Sequence, residues 1–302
     1  MEGNAKIYSN TWSVAMKLRA YAKINIGLHV LRRRPDNFHD IETVFHEIDL
    51  FDEIELALDD RTAMTADSIL VPIDGTNLCL RAALLMQKEK DVKEGVMIHL
   101  KKNIPIGAGL GGGSSDATTV LRGLNKLWKL NISNDKLRSL ASQLGADVPF
   151  FVEGGSAYAT GRGEILEHFS LDIPYWIVLV TPPIHVSTGW AYGHLKLHRN
   201  GKAEGLNSIL LKNLKNPKKL QSALENDFES SVFEAHPDIQ TVKKQLIEAG
   251  SVFSLMSGSG SSVFGFFKDE QKAREAISSF PKNYHTSLTA PEFKSNHQPV
   301  DE

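Results

Sequence analysis

One run of residues carries the clearest chemistry in this sequence: Pro105, Ile106, Gly107, Ala108, Gly109, Leu110, Gly111, Gly112, Gly113, Ser114 and Ser115. Five of them are glycine. Without Cβ atoms, a backbone accepts positive φ and lets a ligand come close. Val96, Ile98 and Leu100 fall at every second position, which predicts a strand before the run. Ala117, Val120, Leu121, Leu124 and Leu127 share one helical face and predict a helix from about Ser115 to Trp128. A glycine loop that opens a helix offers unpaired N–H groups and the positive end of the helix dipole, which is a site for phosphate. The hydroxyls of Ser114 and Ser115 add ligands for phosphate or for a magnesium ion.

Two familiar phosphate loops do not fit. Gly107-Ala-Gly109-Leu-Gly111-Gly112 has the spacing of the dinucleotide fingerprint, which alone is a weak signal. That fingerprint requires a second strand and an acidic residue about twenty positions on. Here that region reads Leu127-Trp-Lys-Leu130, lies between two predicted helices and has no acid, which argues against a dehydrogenase. The Walker loop ends in Gly-Lys-Ser/Thr, and no Gly-Lys follows these glycines.

Other residues invite chemistry while allowing plainer readings. Leu18, Ala20, Ala22, Ile24, Ile26, Leu28 and Val30 alternate with Arg19, Tyr21, Lys23, Asn25 and His29. Period two predicts a half-buried strand, with Lys23 and Asn25 together on the face opposite the core. Asp147 follows a predicted helix end and precedes Val148 and Pro149, where a solvated turn carboxylate is the usual occupant. Phe38 reads equally as core, and His39 as a structural histidine. Asn77 suits a helix cap and Lys102 a loop charge. Gly258 and Gly260 suit a tight turn.

The elements that must position these residues are legible in outline. Strands are predicted at Ile41–Leu50, Glu53–Leu58, Ala157–Thr160 and Tyr175–Thr181. Helices are predicted at Asn77–Lys88, from Ser133 or Asn134 towards Gly145, at Asp238–Ala249 and near Glu270–Ser279. Ser254–Gly265 reads as strand, turn, strand. The polar stretch Arg199–Lys219 is expected to be a mobile surface segment. Strands and helices mix without strict alternation, so an α+β fold in two lobes divided near residues 165–172 is expected. The lobes run from 14 to 168 and from 169 to 290, with 1–13 and 291–302 as loose tails.

Composition excludes several classes. The 302 residues are 41% hydrophobic and 23% charged, as in a folded protein rather than a disordered one. A formal net charge of -2 gives no broad basic field for nucleic acid or anionic membrane, so partners of those kinds are not expected. No apolar run is long enough to span a bilayer. The single cysteine, Cys79, forms no internal disulfide and anchors no cysteine-based zinc site. A cytoplasmic protein acting on a small molecule, with no obligate protein partner, is the expectation.

In combination the segments resemble the GHMP kinases, the superfamily of galactokinase, homoserine, mevalonate and phosphomevalonate kinases. Ala22-Lys-Ile-Asn-Ile-Gly-Leu28, Pro105–Ala117 and Ser257-Gly-Ser-Gly-Ser-Ser-Val-Phe264 are similar to its three motifs, in order. Arg34-Pro-Asp-Asn-Phe-His-Asp-Ile-Glu-Thr43 and Leu144-Gly-Ala-Asp-Val-Pro-Phe-Phe151 are similar to signatures of one branch, the 4-diphosphocytidyl-2-C-methyl-D-erythritol kinases of the non-mevalonate isoprenoid pathway. The resemblance implies a two-lobed fold with the active site in the cleft between lobes. It implies ATP as co-substrate with Mg2+, Asp147 as general base and Lys23 beside it, and nucleotide contacts from the glycine loop, Asn77 and Lys102. It implies substrate contacts from Asn25, Phe38, His39, Gly258 and Gly260, with Tyr192 a looser match for the far side of a base sandwich. Where the branch usually has Asp-Gly-Tyr-His, this chain has Asp36-Asn-Phe-His39; Asn tolerates the left-handed backbone that glycine takes there. A kinase of homoserine or mevalonate type is the alternative, and a base clamp would be useless to it. A non-enzymatic nucleotide-binding protein would be favoured by loss of Lys23 or Asp147, and both are present.

Overall fold

The computed structural model describes residues 16–195 and 205–300. Strand β1, Met16–Arg33, runs antiparallel to β2, His39–Asp59, from Met16 opposite Leu56 to Arg33 opposite His39. Two strands were expected where β2 is one. Asp52, a polar residue that reads as a break, instead stays in the strand, fully buried. Its carboxylate accepts from Asn103 N at 2.6 Å, Ile104 N at 2.8 Å and Lys102 Nζ at 2.5 Å. β3 (Ala63–Ala66), β4 (Gly95–Lys101), β5 (Ser156–Thr160) and β6 (Ile165–His168) complete a sheet in the order β3-β4-β2-β5-β6, with β1 also on β2. The β3–β4 pairing is parallel and the other pairings are antiparallel.

Helices α1 (Leu78–Lys90), α2 (Gly112–Leu127) and α3 (Asn134–Ala141) cover this sheet. Asn77 and Ser133 cap α1 and α3 with their side chains. Leu18, Ile54, Met86, Ile98, Val120 and Leu124 belong to the shared core. The second lobe is built on a sheet of order β10-β7-β9-β8, with β7 at Trp176–Thr181, β8 at Phe253–Met256, β9 at Val263–Phe267 and β10 at His285–Thr289. Its helices are α4 (Thr188–Gly193), α5 (Leu206–Asn213), α6 (Pro217–Ala223), α7 (Glu229–Ala235), α8 (Pro237–Glu248) and α9 (Glu270–Ser279).

β1 serves both lobes. Leu18 and Ala20 join the core under α1–α3, whereas Ile24 and Ile26 pack with Leu206, Phe253 and Phe264 of the second lobe. The alternate positions Tyr21, Lys23, Asn25 and His29 are buried as well, so both faces of the strand are covered and Lys23 and Asn25 are not solvated. Burying each large aliphatic side chain contributes about 1.5–3 kcal/mol, which fixes the strand firmly under the site.

Two expectations for polar segments are corrected. Of Arg199–Lys219, residues 199–204 lie outside the described residues, but α5 and the start of α6 are helix, because Leu206, Leu210 and Leu220 are each fully buried. Average polarity hid a helical stripe of leucines. Residues 291–300, read as a loose tail, run across the first lobe: Phe293 and His297 contact the Tyr21 ring at 5.7 and 5.6 Å, Lys126 donates to Gln298 Oε1 at 2.7 Å, and Val300 N donates to Lys17 O at 2.9 Å. The other expected tail, 1–13, lies outside the described residues.

Candidate active site

The glycine loop follows β4 and opens α2, which starts at Gly112, three residues before the expected Ser115. Gly107, Gly109 and Gly111 all have positive φ, between +66° and +79°. At Gly109 close approach is decisive: a Cβ there would lie 2.1 Å from Ser257 O, so the loop docks on the third motif. Ser257 Oγ donates to Gly109 O at 2.9 Å and accepts from Asn25 N at 3.1 Å, joining all three glycine-bearing motifs.

The loop borders a cleft of about 460 Å³. Lys23 sits on its floor, 4% exposed. Its ammonium donates to Asn25 Oδ1 at 2.6 Å and to Gly109 O at 3.2 Å, and faces Asp147 Oδ2 at 3.6 Å. Burial lowers the Lys23 pKa, and Asp147 opposes that shift. Asn25 is itself fixed, since its amide donates to Thr43 Oγ1 at 2.9 Å. Asp147 caps a 3-10 helix, Val148–Val152, without a side-chain capping bond, which leaves its carboxylate turned to Lys23 and the cleft. It is 34% exposed, so it is no mere surface turn residue.

The remaining expected residues divide. Pro105 to Ser114, Asn77, Lys102, Tyr192 and Gly258 line the cleft. Ser115 does not: it is buried, and its N–H donates to Gly111 O at 2.9 Å within the first turn of α2. Asn77 is a cleft residue whose side chain caps α1, accepting from Cys79 N at 2.8 Å and donating to Pro72 O at 2.7 Å. Lys102 is no loop charge. It is buried between Asp52 and Asp116, at 2.5 and 2.7 Å, and despite its burial these carboxylates raise its pKa. Gly258 packs on Gly109, but Gly260 turns towards Met256 and away from the cleft.

Phe38 is 55% exposed and so is not core. The Arg162 guanidinium lies 5.0 Å above its ring. His39 is stacked on Tyr192, with ring centroids 4.7 Å apart; of Phe38, His39 and Tyr192, only Tyr192 lines the cleft itself. The departure at Asn37 is accommodated: its φ is +66°, and Arg34 N donates to Phe38 O at 2.8 Å across the turn.

Sequence reasoning passed over Arg162, Thr43, Ser257 and Asp116. Arg162 had a local signal, since it stands alone between Gly161 and Gly163 in a turn that faces the cleft. Asp116 lies inside the second motif, and its Oδ1 is buried without a hydrogen-bond partner while Oδ2 takes Lys102. Thr43 and Ser257 act through Asn25, which only the folded register reveals. Among the described residues there is no group of three or more His, Cys, Asp or Glu placed to hold a metal ion.

The chain resembles known proteins over most of its length. Residues 77–155 match the GHMP kinases N terminal domain and residues 209–286 the GHMP kinases C terminal domain. A 4-diphosphocytidyl-2-C-methyl-D-erythritol kinase of Pelodictyon phaeoclathratiforme is 44% identical over 278 residues, 91% of this chain and 97% of that one. One from Chlorobium phaeovibrioides is 46% identical over 283 residues, 92% and 97% of the two chains. A crystal structure of 4-(cytidine 5'-diphospho)-2C-methyl-D-erythritol kinase is similar with a TM-score of 0.79 at 33% identity, covering 92% of this chain and 100% of the other. Homoserine kinase from Cytophaga hutchinsonii, at 18% identity and a TM-score of 0.71 over 95% and 98% of the chains, shares the fold alone. With three motifs meeting in one cleft and this likeness along nearly the whole chain, the protein belongs to the GHMP kinases, in the family of the 4-diphosphocytidyl-2-C-methyl-D-erythritol kinases.

Proposed function

We propose that the enzyme transfers the γ-phosphoryl group of ATP to the 2-hydroxyl of 4-diphosphocytidyl-2-C-methyl-D-erythritol. The observation that carries the reading is the Lys23–Asp147 pair, 3.6 Å apart, beside the glycine loop in one cleft. Phosphoryl transfer needs positioning and charge stabilisation above all. The loop amides and the α2 N-terminus hold the phosphates. Asp147 accepts the proton of the 2-hydroxyl as its oxygen bonds to the γ-phosphorus, while the bond to the β–γ bridging oxygen breaks and ADP leaves. Lys23, held by Asn25 and Gly109, orients Asp147 and neutralises developing charge. The acceptor is a tertiary alcohol, so alignment matters.

Mg2+, when bound, would supply further charge neutralisation at the phosphates and would need few protein ligands. The unpartnered Oδ1 of Asp116 and the hydroxyl of cleft-lining Ser114 fit that part, as oxygen donors beside the phosphate cradle. On the acceptor side, cytosine stacks on the exposed Phe38 ring in place of Arg162, whose guanidinium then pairs with the diphosphate; His39 and Tyr192 form the neighbouring wall. An ATP-binding lobe, residues 14–168, and a second lobe, 169–290, accord with the division of strands between two sheets. Among the described residues no helix is long and apolar enough to cross a membrane. The buried, unpaired Cys79 suits the cytoplasm, where the enzyme acts on dissolved small molecules.

An assay of ADP release against several acceptors tests the reading. The cytidine-linked compound is expected to be used far better than free methylerythritol, mevalonate or homoserine. Phe38→Ala is expected to weaken the cytidine-linked acceptor by about ten- to a hundredfold, since stacking on a ring is worth about 1–3 kcal/mol per base. Its melting temperature and ATP affinity should be unchanged. Equal use of the free polyol or mevalonate would remove the base clamp and the substrate assignment with it.

A further inference from the structure

Asp147 stands at the head of a short 3-10 helix, and nothing caps that helix through the Asp147 side chain. Its position must come from the rest of the helix. Two carbonyls of that helix are held by one face of α2. Thr118 Oγ1 donates to Val148 O at 2.7 Å, and Arg122 Nη1 donates to Phe151 O at 3.0 Å. Thr118 and Arg122 are four residues apart, one turn of α2, and so lie on the same side of it. The same hydroxyl proton is shared with Ser114 O, 3.1 Å from Thr118 Oγ1, in the glycine loop's own first helical turn. The same helix therefore presents its N-terminus to the phosphates and grips the segment that carries the carboxylate.

Arg122 is anchored in turn from the C-terminal segment. Its Nη2 faces His297 Nδ1 at 3.0 Å. A guanidinium only donates, so His297 Nδ1 accepts and its Nε2–H is left to donate to Glu47 Oε2 at 3.1 Å. Glu47 Oε2 also accepts from Gly155 N at 2.7 Å and from the Ser295 hydroxyl. Glu47 is paired in register with Lys23 on β1, and it grips the chain just beyond the 3-10 helix. The Asp147 segment is thus tied to α2, which opens from the phosphate cradle, and at its far end to β2, the strand paired with the one that carries Lys23.

We infer that Thr118 and Arg122 are positioning residues for phosphoryl transfer, with α2 acting as a ruler that sets Asp147 at a fixed reach from the phosphate cradle, and with Glu47 and His297 keeping Arg122 in place. The inference rests on Asp147 being the group that takes the hydroxyl proton. Thr118→Val keeps shape and removes the donor. Arg122→Lys keeps charge and removes the fork that reaches Phe151 O and His297 together. Because a misplacement of about 1 Å costs on the order of a hundredfold in rate, each is expected to lower kcat about ten- to a hundredfold, with KM for ATP and acceptor within about twofold. In an Asp147→Asn background neither change should lower kcat further, since they act through Asp147. A merely destabilising change would lower kcat by the same factor in both backgrounds, and that result overturns the inference, as does wild-type kcat in Thr118→Val. If Arg122→Lys fails to fold, Thr118→Val and His297→Ala carry the same comparison. Near-normal turnover of Asp147→Asn alone would sink the base assignment itself; reduced turnover of Asp147→Asn beside wild-type Thr118→Val would sink only the ruler.

Discussion

A lysine ammonium buried to 4% exposure has lost nearly all its water, and Lys23 replaces it with Asn25 Oδ1, Gly109 O and the Asp147 carboxylate. Burial favours the neutral amine and lowers the pKa; Asp147 favours the ammonium and raises it. The two influences give a test with a definite sign. Turnover needs the charged form, so it should fall as pH rises through the folded pKa, which lies below the usual 10.5. Asp147→Asn removes the raising influence, so its alkaline limb should move to lower pH, while kcat falls by about two to four orders of magnitude as for loss of a general base. A pH–rate profile of both enzymes decides it: limbs at the same pH would mean that Lys23 titration does not govern turnover. At this scale the sequence was half legible. Period two on β1 set Lys23 and Asn25 side by side, but the partnership with Asp147 crosses from a strand to a 3-10 helix, and only family resemblance pointed to it. Local spacing gave no sign of Thr43 or Ser257, which act by bonding to Asn25.

Elements turn on where the glycines put the backbone. Strand, loop and helix around the phosphate site were legible from alternation, glycine density and an apolar helical face. Which glycine faces the ligand and which faces the protein was not, because that depends on tertiary neighbours. A Cβ at Gly111 would lie 2.9 Å from Phe151 Cζ and 3.2 Å from Lys23, with φ at +68°; one at Gly112 would lie 3.0 Å from Ile104 and Lys102 Nζ. Those two glycines are packing joints, and side chains there press on the catalytic lysine or on the Lys102 ion pairs. Gly113 is exposed, has no neighbour nearer than 3.9 Å and lies in the first turn of α2, among the amides that face the phosphates. Gly113→Val is therefore expected to leave the melting temperature within about 2 °C of the parent, given how small surface effects usually are, and to weaken ATP. Gly111→Val is expected to lower the melting temperature and kcat together. Calorimetric titration with ATP and thermal unfolding separate the two; full ATP affinity in folded Gly113→Val would mean that the phosphates do not approach that turn.

Across the whole molecule an α+β fold in two lobes was legible, while the stitching between the lobes was not. Residues 291–300 look polar and loose in sequence, yet Phe293, Ser295 and His297 bury against Tyr21 and Glu47, and Lys294 pairs with Asp172 at 2.6 Å. Phe293, Ser295 and His297 do alternate with exposed neighbours, but only Phe293 of the three is apolar, so the alternation leaves no hydrophobic pattern to read. The same region makes stability depend on pH. His46 is fully buried on β2 in register with Ile24 and Ser156, and its Nδ1 meets Ser156 Oγ at 2.7 Å. Burial pushes its pKa down from 6.5 to about 4, with nearby Lys294 in the same direction and Glu47 opposing. The folded state thus holds His46 neutral at a pH where the unfolded chain has already bound the proton. Its stabilising share is fully present above pH 6.5 and is lost as pH falls from 6.5 towards 4, an effect of about 3 kcal/mol when complete. Glu47 adds to the loss at the acid end. Although burial raises its pKa, His297, Ser295 and Gly155 N together hold it below 4.5, so its contribution disappears as pH falls through the folded value. Urea midpoints measured from pH 7.5 down to 4.5 should therefore decline most steeply below 6.5. His46→Gln keeps a hydrogen-bonding partner for Ser156 but cannot titrate, and should flatten that decline between pH 6.5 and 5 whatever its stability at neutral pH. An unchanged slope in His46→Gln would show that other groups set the acid sensitivity of the fold.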